Sequence, residues 1–164
     1  VTGRPGAPLT LDEAAALAAQ LRARGRRVVL ANGCFDLLHV GHLRYLRAAR
    51  ALGDVLFVAI NSDASVARLK GAGRPLLPAA ERAELLGSLR AVDHVVIFDD
   101  DTADGLVAAL RPAVHAKGTD YAPDGVPEAA TARSVGAQVA IVGDPKEHST
   151  RDLIARIAER FGRR

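Results

Sequence analysis

The sequence predicts an open, doubly wound α/β domain, with one five-stranded parallel sheet and helices on both faces. Three observations carry this. Apolar runs of strand length alternate with helix-like stretches five times. Most of those runs are apolar throughout, as in strands buried on both faces. The connections between them are short, as βαβ units require. The 164 residues suffice for one domain with a real core, and no internal repeat or low-complexity segment divides them. We therefore expect a single domain over residues 1–164, with a loose Gly/Pro-rich segment at residues 1–9.

Each element has its own justification. Thr10 or Asp12 can cap a helix running through Glu13 to about Arg24, with Gly25 as its stop. Val28-Val29-Leu30 reads as the first strand. A helix follows from about Leu43 to Arg50, its apolar residues recurring at helical spacing, and Gly53 and Asp54 end it. Residues 55–60 form the second strand; Asn61-Ser62-Asp63 closes it and caps a short helix near residues 65–69. Lys70-Gly71-Ala72-Gly73-Arg74-Pro75 reads as a flexible basic loop, and Pro78 starts the next helix. Residues 94–98 form the third strand, followed by a helix at about residues 103–110 that Pro112 stops. Residues 113–117 form a short fourth strand, residues 118–127 a loop and residues 128–135 a helix. Residues 138–142 form the fifth strand. Ser149-Thr150 caps the last helix, which holds Leu153, Ile154 and Ile157 on one face.

The chemistry centres on the junction Ala31-Asn32-Gly33-Cys34-Phe35-Asp36-Leu37-Leu38-His39-Val40-Gly41-His42. Its histidines sit on a strand-to-helix turn, with His42 in or beside the first helical turn. Free backbone N–H groups and the positive dipole end gather there, which suits a phosphate. Gly41 has no Cβ, so a phosphate can approach the backbone closely. Two imidazoles three residues apart can donate to oxygens of one polyphosphate, making this a site for chemistry on a nucleoside triphosphate. Chance alone would give His-x-Gly-His in about one chain of this length in a hundred, so the rest of the chain must agree. A zinc pair is the alternative. Zinc-binding helices prefer i and i+4, however, and a structural site needs four ligands. This chain has one cysteine, and His94, His115 and His148 lie far away in sequence. In a doubly wound sheet, ligands bind beyond the carboxyl ends of the strands at the switch point. Four polar clusters follow strands here and should converge there: residues 32–42, Asn61–Asp63, Lys117–Tyr121 and the stretch before Ser149.

Composition bounds the partners. A net charge of +3 is modest and suits phosphate-bearing small molecules; no aromatic-studded basic stripe argues for nucleic acid. The Arg22–Arg27 cluster reads as the solvated end of a helix. A single cysteine excludes an internal disulfide and fits a reducing cytoplasm, the expected location. No stretch approaches the roughly twenty apolar residues of a membrane span, and no leader resembles a signal peptide.

The histidine motif, Cys34-Phe35-Asp36-Leu37-Leu38-His39-Val40-Gly41-His42, resembles the signature of the cytidylyltransferase-like nucleotidyltransferases, whose domain is Rossmann-like. Further pieces narrow the resemblance: Asn61-Ser62-Asp63; Leu69-Lys70-Gly71 with Arg74-Pro75; Glu81-Arg82 on a helix with Val92-Asp93 beyond; Lys117-Gly118-Thr119-Asp120-Tyr121; and Ser149-Thr150. Running from about Val28 to Ile157, the series is similar to the adenylyltransferases of heptose 1-phosphate. The glycerol-3-phosphate cytidylyltransferases share the histidines but usually carry Gly-Thr-Phe-Asp where this chain has Asn32-Gly33-Cys34-Phe35-Asp36. They also carry Arg-Thr-Glu-Gly before Ser-Thr, where this chain has Asp144-Pro145-Lys146-Glu147-His148. Two motifs depart from the heptose pattern: Thr119 stands where glycine is usual, and Arg151-Asp152 where Thr-Asn is usual. Arg151 places a guanidinium near a helix start that should face phosphates, which bears on phosphate contacts and base preference.

The resemblance implies attack by a sugar 1-phosphate on the α-phosphorus of ATP, with Mg²⁺ carried on the phosphates and no confident metal ligand from the protein. It implies catalytic roles for His39, His42 and Lys70, with Lys70 offsetting repulsion between the two phosphate substrates. Nucleotide contacts would come from Asn32, Gly33, Cys34, Phe35, Gly41, Lys117, Gly118, Asp120, Ser149 and Thr150, and substrate contacts from Asp36, Asp63 and Arg74. A homodimer is expected, using aliphatic surface around Leu85, Leu86 and Leu89. A separate sugar kinase would make the substrate. Plainer readings stand beside these. Asp36 can orient a histidine, a water or a metal, or only form a turn. Arg82 reads as a surface ion pair of little worth and Asp93 as a strand-edge cap. Cys34 reads as a small buried residue. Tyr121 plugs a loop or stacks on a base, His115 is satisfied locally, and His148 is evenly balanced as a phosphate contact. Rival functions are another nucleotidyltransferase, forming a CDP-alcohol or a different sugar nucleotide, and a non-catalytic nucleotide-binding module.

Overall fold

The computed structural model describes residues 7–145 and 148–162. Its elements run α1 (Leu11–Ala23), β1 (Val28–Gly33), α2 (Val40–Arg50), β2 (Val55–Asn61), α3 (Asp63–Lys70), α4 (Ala79–Gly87), β3 (His94–Phe98), α5 (Asp104–Leu110), β4 (Val114–Lys117), α6 (Ala129–Ser134), β5 (Gln138–Ile141) and α7 (Thr150–Phe161), with a 3₁₀ turn at Pro123–Gly125. The five strands are all parallel, in the order β3-β2-β1-β4-β5. The chain therefore winds one way from β1 to β3, then crosses back to place β4 on the other side of β1. The crevice between β1 and β4 is the topological switch point.

Strand alternation divides the core into two layers. Val29 and Ala31 point to the layer that holds Tyr45, Leu46 and Ala49 of α2 and Ala83 and Leu86 of α4. Val28 and Leu30 point to the layer of Ala14 and Ala18 of α1, Leu106, Val107 and Leu110 of α5, and Ala132 of α6. The small residues of α1 and α6 let these helices lie close to the sheet. α1 begins with a full capping box: Thr10 Oγ1 accepts from the Glu13 N–H, and the Glu13 carboxylate accepts from the Thr10 N–H. Across the first layer, the buried Tyr45 hydroxyl donates to the Ala116 carbonyl at 2.8 Å, tying α2 to β4 over the switch point.

Several boundaries differ from the sequence expectation, and each difference moves a site residue. β1 continues to Gly33, so Asn32 and Gly33 are strand residues held by the ladder. α2 begins at Val40, which places His42 firmly within its first turn. α3 runs to Lys70, so Lys70 ends a helix and does not ride in a flexible loop; Gly71, at φ +91°, makes the exit. The apolar face expected at Leu85, Leu86 and Leu89 is largely core: Leu86 is fully buried, Leu89 packs against the same cluster, and Leu85 alone of the three is exposed. Helical periodicity could not reveal that α4 lays this face on β2 and β3.

Candidate active site

Backbone geometry at the end of β1 sets the histidine turn. Phe35 adopts the left-handed conformation, φ +48°, while its ring is buried. The ring turns back over Gly33, where an added Cβ would lie 3.0 Å from it, and packs against His42 with centroids 5.1 Å apart. His39 is the N-cap of α2, its Nδ1 accepting from the Gly41 N–H at 3.1 Å. The two imidazoles stack, centroids 3.8 Å apart and planes 23° from parallel. A Cβ on Gly41 would stand 2.9 Å from the His39 ring. The glycine therefore makes room for the histidine cap.

The cap also fixes a tautomer. With Nδ1 accepting, neutral His39 carries its proton on Nε2, which leaves that N–H as the donor. Burial, reinforced by the neighbouring His148, pushes His39 below the usual histidine range, against an opposing pull from Asp152. Burial and then the neighbouring His39 push His42 down to about 4, against a smaller upward pull from the Leu37 carbonyl. Both rings are neutral near pH 7, so each offers one N–H. His42 Nδ1 is buried without a hydrogen-bond partner.

Depressed histidines carry a stability consequence. His115, inside the second layer, is also lowered to about 4, by burial and by Lys117. An unfolded histidine titrates near 6.5, so the unfolded chain takes up these protons first. The stability these neutral rings represent is complete above about pH 6.5 and is lost as pH falls towards 4. Asp36, Asp104 and Glu128 are all lowered carboxylates and titrate later. The urea midpoint should accordingly drop between pH 7.5 and pH 5. An unchanged midpoint over that interval would contradict the burial of neutral histidines.

Two arginine braces hold the neighbouring loops. Asp36 is buried and both its oxygens are engaged: Oδ2 with Arg74 Nε at 2.5 Å, and the pair with the Leu76 and Leu77 N–H groups at 2.8 to 3.0 Å. Its carboxyl stays below the usual range because those N–H groups and Arg74 outweigh burial, the largest single influence, which pulls upward. Asp36 therefore pins residues 74–77 to the histidine turn. Neither a histidine nor an incoming substrate finds a free oxygen on it, which corrects the substrate-binding expectation for Asp36; Arg74 gives its Nε to this pair.

Arg82 is no surface ion pair. It is wholly buried, and its guanidinium donates to the Leu77, Cys34 and Asn61 carbonyls and to Asp63 Oδ1, at 2.7 to 2.9 Å. Asp63 is half-exposed and joined to this brace. Cys34 Sγ lies 3.7 Å from Asn61 Oδ1; burial raises its thiol while Lys70, Arg82 and Arg74 pull it back, which places Lys70 near this side of the turn. Asp93 works at the opposite edge, accepting from the Leu56 N–H and pairing with Arg50 at 3.0 Å.

At the switch point, Asn32 Oδ1 meets His115 Nε2 at 3.0 Å and Lys117 Nζ at 3.3 Å. Lys117 is nearly buried, pairs with Glu128 at 3.2 Å and lies 4.6 Å from the Tyr121 ring centroid. Gly118 is partly buried beyond it, and Asp120 and Tyr121 are exposed in the following loop. The start of α7 closes the other side. Ser149 caps the helix by accepting from the Asp152 N–H and donates to the Asp152 carboxylate at 2.6 Å. Thr150 Oγ1 lies 3.4 Å from the Leu37 carbonyl, joining α7 to the histidine turn. An added Gly41 Cβ would stand 3.3 Å from His148 Cβ, so His148 borders the same turn. Thr119 donates to the Asp144 carbonyl, and Asp144 pairs with Arg44 at 2.7 Å. Lys146 and Glu147 lie outside the described residues. The four polar clusters do meet at one edge of the sheet.

A family model described as cytidylyltransferase-like matches residues 30–157. The chain belongs to that family. The family and the relatives below support a nucleotidyltransferase activity. The protein is 49% identical to the bifunctional protein HldE of Pelobacter propionicus over 92% of this chain and 31% of the relative. It is likewise 49% identical to the bifunctional protein HldE of Streptomyces coelicolor over 90% of this chain and 32% of the relative. The chain thus spans about a third of the length of the curated relatives it matches. A solved structure, a lipopolysaccharide core biosynthesis protein from Thermoplasma volcanium, is similar with a TM-score of 0.61 and 30% identity, covering 72% of this chain and 95% of that one.

Two buried residues that brace the surroundings of this site, Arg82 and Glu128, were missed by sequence reasoning. Arg82 shares a helical face with Ala83 and Leu86, both buried, and a charged residue on an apolar face was the available signal. Glu128 offered none, since it precedes α6 in a polar loop. No helix among the described residues is long and apolar enough to cross a membrane.

Proposed function

We propose that this nucleotidyltransferase transfers AMP from ATP to a heptose 1-phosphate, giving ADP-heptose and pyrophosphate. The observation that carries the reading is the pair of stacked neutral imidazoles at the start of α2, set against the switch point of a parallel sheet. The motif resemblance to heptose 1-phosphate adenylyltransferases and the match to HldE proteins support the choice of substrate.

In this reading a phosphate oxygen of the sugar 1-phosphate attacks the α-phosphorus of ATP. A new P–O bond forms, the bond between the α-phosphorus and the bridging oxygen breaks, and pyrophosphate leaves with the electron pair. The attacking phosphate has a second pKa near 6, so at pH 7 it is already mostly anionic and needs no general base. The protein has to hold two anions in line and stabilise the transferring group. His39 Nε2–H and the His42 N–H donate to the phosphate oxygens, and the N-terminus of α2 adds its dipole. Lys70, at the end of α3, offsets repulsion between the two phosphates. Ser149 and Thr150, at the start of α7, serve the distal phosphates through their N–H groups. Magnesium prefers oxygen ligands. Both Asp36 oxygens are engaged, so the ion would ride on the triphosphate and bring charge neutralisation with it.

Pyrophosphate release measured with ATP, CTP, GTP and UTP, each with and without heptose 1-phosphate, tests this. Release is expected with ATP and the sugar phosphate together. Release with CTP and glycerol 3-phosphate instead would favour the cytidylyltransferase rival, and binding without release from any pair would favour a nucleotide-binding module. Within the same assay, Lys70→Ala should lower kcat more than ATP affinity. Equal losses would make Lys70 a general nucleotide contact.

A further inference from the structure

The buried polar chain beneath the switch point has an internal logic. Lys117 Nζ can only donate, and its neighbours are Glu128 Oε2 and Asn32 Oδ1. The Asn32 amide must therefore turn its oxygen inward, towards Lys117. His115 Nε2 faces that same oxygen at 3.0 Å, so His115 donates from Nε2, and its Nδ1 is left as a fully buried acceptor without a partner. Asn32 Oδ1 is thus claimed by two donors, and the amide nitrogen, with two N–H groups, is the end left for a ligand. The Asn32 backbone is fixed as well, by its place in β1 and by the buried Tyr45 hydroxyl against it.

Glu128 anchors this chain of orientations. It is 2% exposed, its Oε1 accepts from the Ala103 N–H at 2.9 Å, and its Oε2 takes Lys117. A carboxylate held at both oxygens, between the starts of α5 and α6, cannot swing away. We propose that Glu128 is a positioning residue for the nucleotide: by fixing Lys117 it commits Asn32 to present its amide N–H₂, and not its oxygen, to a hydrogen-bond acceptor on the nucleotide in the β1–β4 crevice. This rests on the nucleotidyltransferase reading above. Removal of the carboxylate leaves Lys117 a buried ammonium without its counter-charge. A buried ammonium so stripped loses its proton or withdraws towards water, and without that fixed donor the amide and the His115 tautomer are both free to reverse.

Two variants test it, with two readouts. In the ligand-free protein, long-range ¹H–¹⁵N NMR of the His115 ring should show the Nε2–H tautomer, and Glu128→Gln should give a mixture of tautomers. Calorimetric ATP affinity, measured well below the unfolding midpoint, should weaken at least tenfold in Glu128→Gln, while kcat at saturating nucleotide stays within about threefold. A purely structural role would lower the midpoint and leave the affinity of the folded protein unchanged. Asn32→Asp keeps an oxygen for Lys117 and His115 but removes the N–H₂, so it should retain the tautomer and still lose ATP affinity tenfold or more. If Glu128→Gln does not fold, the wild-type His115 tautomer still tests the orientation, and unchanged ATP affinity in Asn32→Asp, despite the added charge, excludes the amide contact. Unchanged ATP affinity in Asn32→Asp, or a wild-type His115 protonated on Nδ1, would overturn the proposal. Failure of the heptose reading would appear separately, as wild-type protein that binds ATP but releases no pyrophosphate.

Discussion

His39→Ala and His42→Ala are each expected to lower the single-turnover rate by about two to three orders of magnitude, the range for losing one preorganised transition-state donor. Nucleotide affinity should change far less. Charge on the non-bridging oxygens is redistributed as the attacking and leaving oxygens come in line, so donors aimed there matter most in the transition state. Burial keeps both rings neutral, so the contribution is a directed N–H and not a formal charge. His42→Asn should consequently keep part of the activity, because an amide still supplies an N–H. The stacked rings serve one transferring group, so the double replacement should cost less than the product of the singles. Gly41→Ala should reproduce much of the His39 loss with both imidazoles present, because the new methyl occupies the place of the His39 ring. An unchanged single-turnover rate in His42→Ala would leave only a phosphate-binding turn.

The largest effect on stability is expected at Arg82. Arg82→Ala strands three backbone carbonyls, removes the partner of Asp63 and opens a void where the buried side chain lay. A buried carbonyl left without a donor costs about 1–3 kcal/mol; only the Asn61 contact is fully buried, and the part-buried Leu77 and Cys34 carbonyls regain water in part. Asp63 itself is half-exposed and regains water, so its share is small. A total near 3–5 kcal/mol is a large part of the roughly 5–15 kcal/mol that stabilises a domain. At about 2–4 °C per kcal/mol for a chain of this size, the melting midpoint should fall by roughly ten degrees. Arg82→Met separates the causes. It restores most of the volume, so if it recovers the midpoint, packing and not the guanidinium fork holds the loops. Arg82→Lys should remain clearly destabilised, since one ammonium cannot span acceptors on three segments.

Legibility followed the range of the forces. The strands were readable because burial on both faces makes them apolar throughout, and the histidine turn because strand, glycine and helix signals sit within a dozen residues. Convergence of the four polar clusters followed from parallel topology alone. Roles that depend on distant partners were not readable. Asp36 reads as a substrate contact until Arg74 and the amides of Leu76 and Leu77 claim its oxygens. Gly41 offered open backbone until the His39 ring folded back upon it. Lys117 and Glu128 are eleven residues apart, with a 3₁₀ turn between them, and no periodicity joins them.

The position of β4 has a further consequence for how the protein is made. β1, β2 and β3 pair in sequence order, each strand with the next, so this half can assemble while the chain is still being synthesised. The crevice needs β4 beside β1, with Val114 against Val29, and those residues are separated by the whole first half of the sheet. A nascent chain ending before β4 already carries both histidines but has only one wall of the proposed nucleotide site. Ribosome-bound fragments should therefore show compact, protease-resistant structure before they can retain ATP, with binding arriving only once β4 and the α6 start that carries Glu128 have emerged.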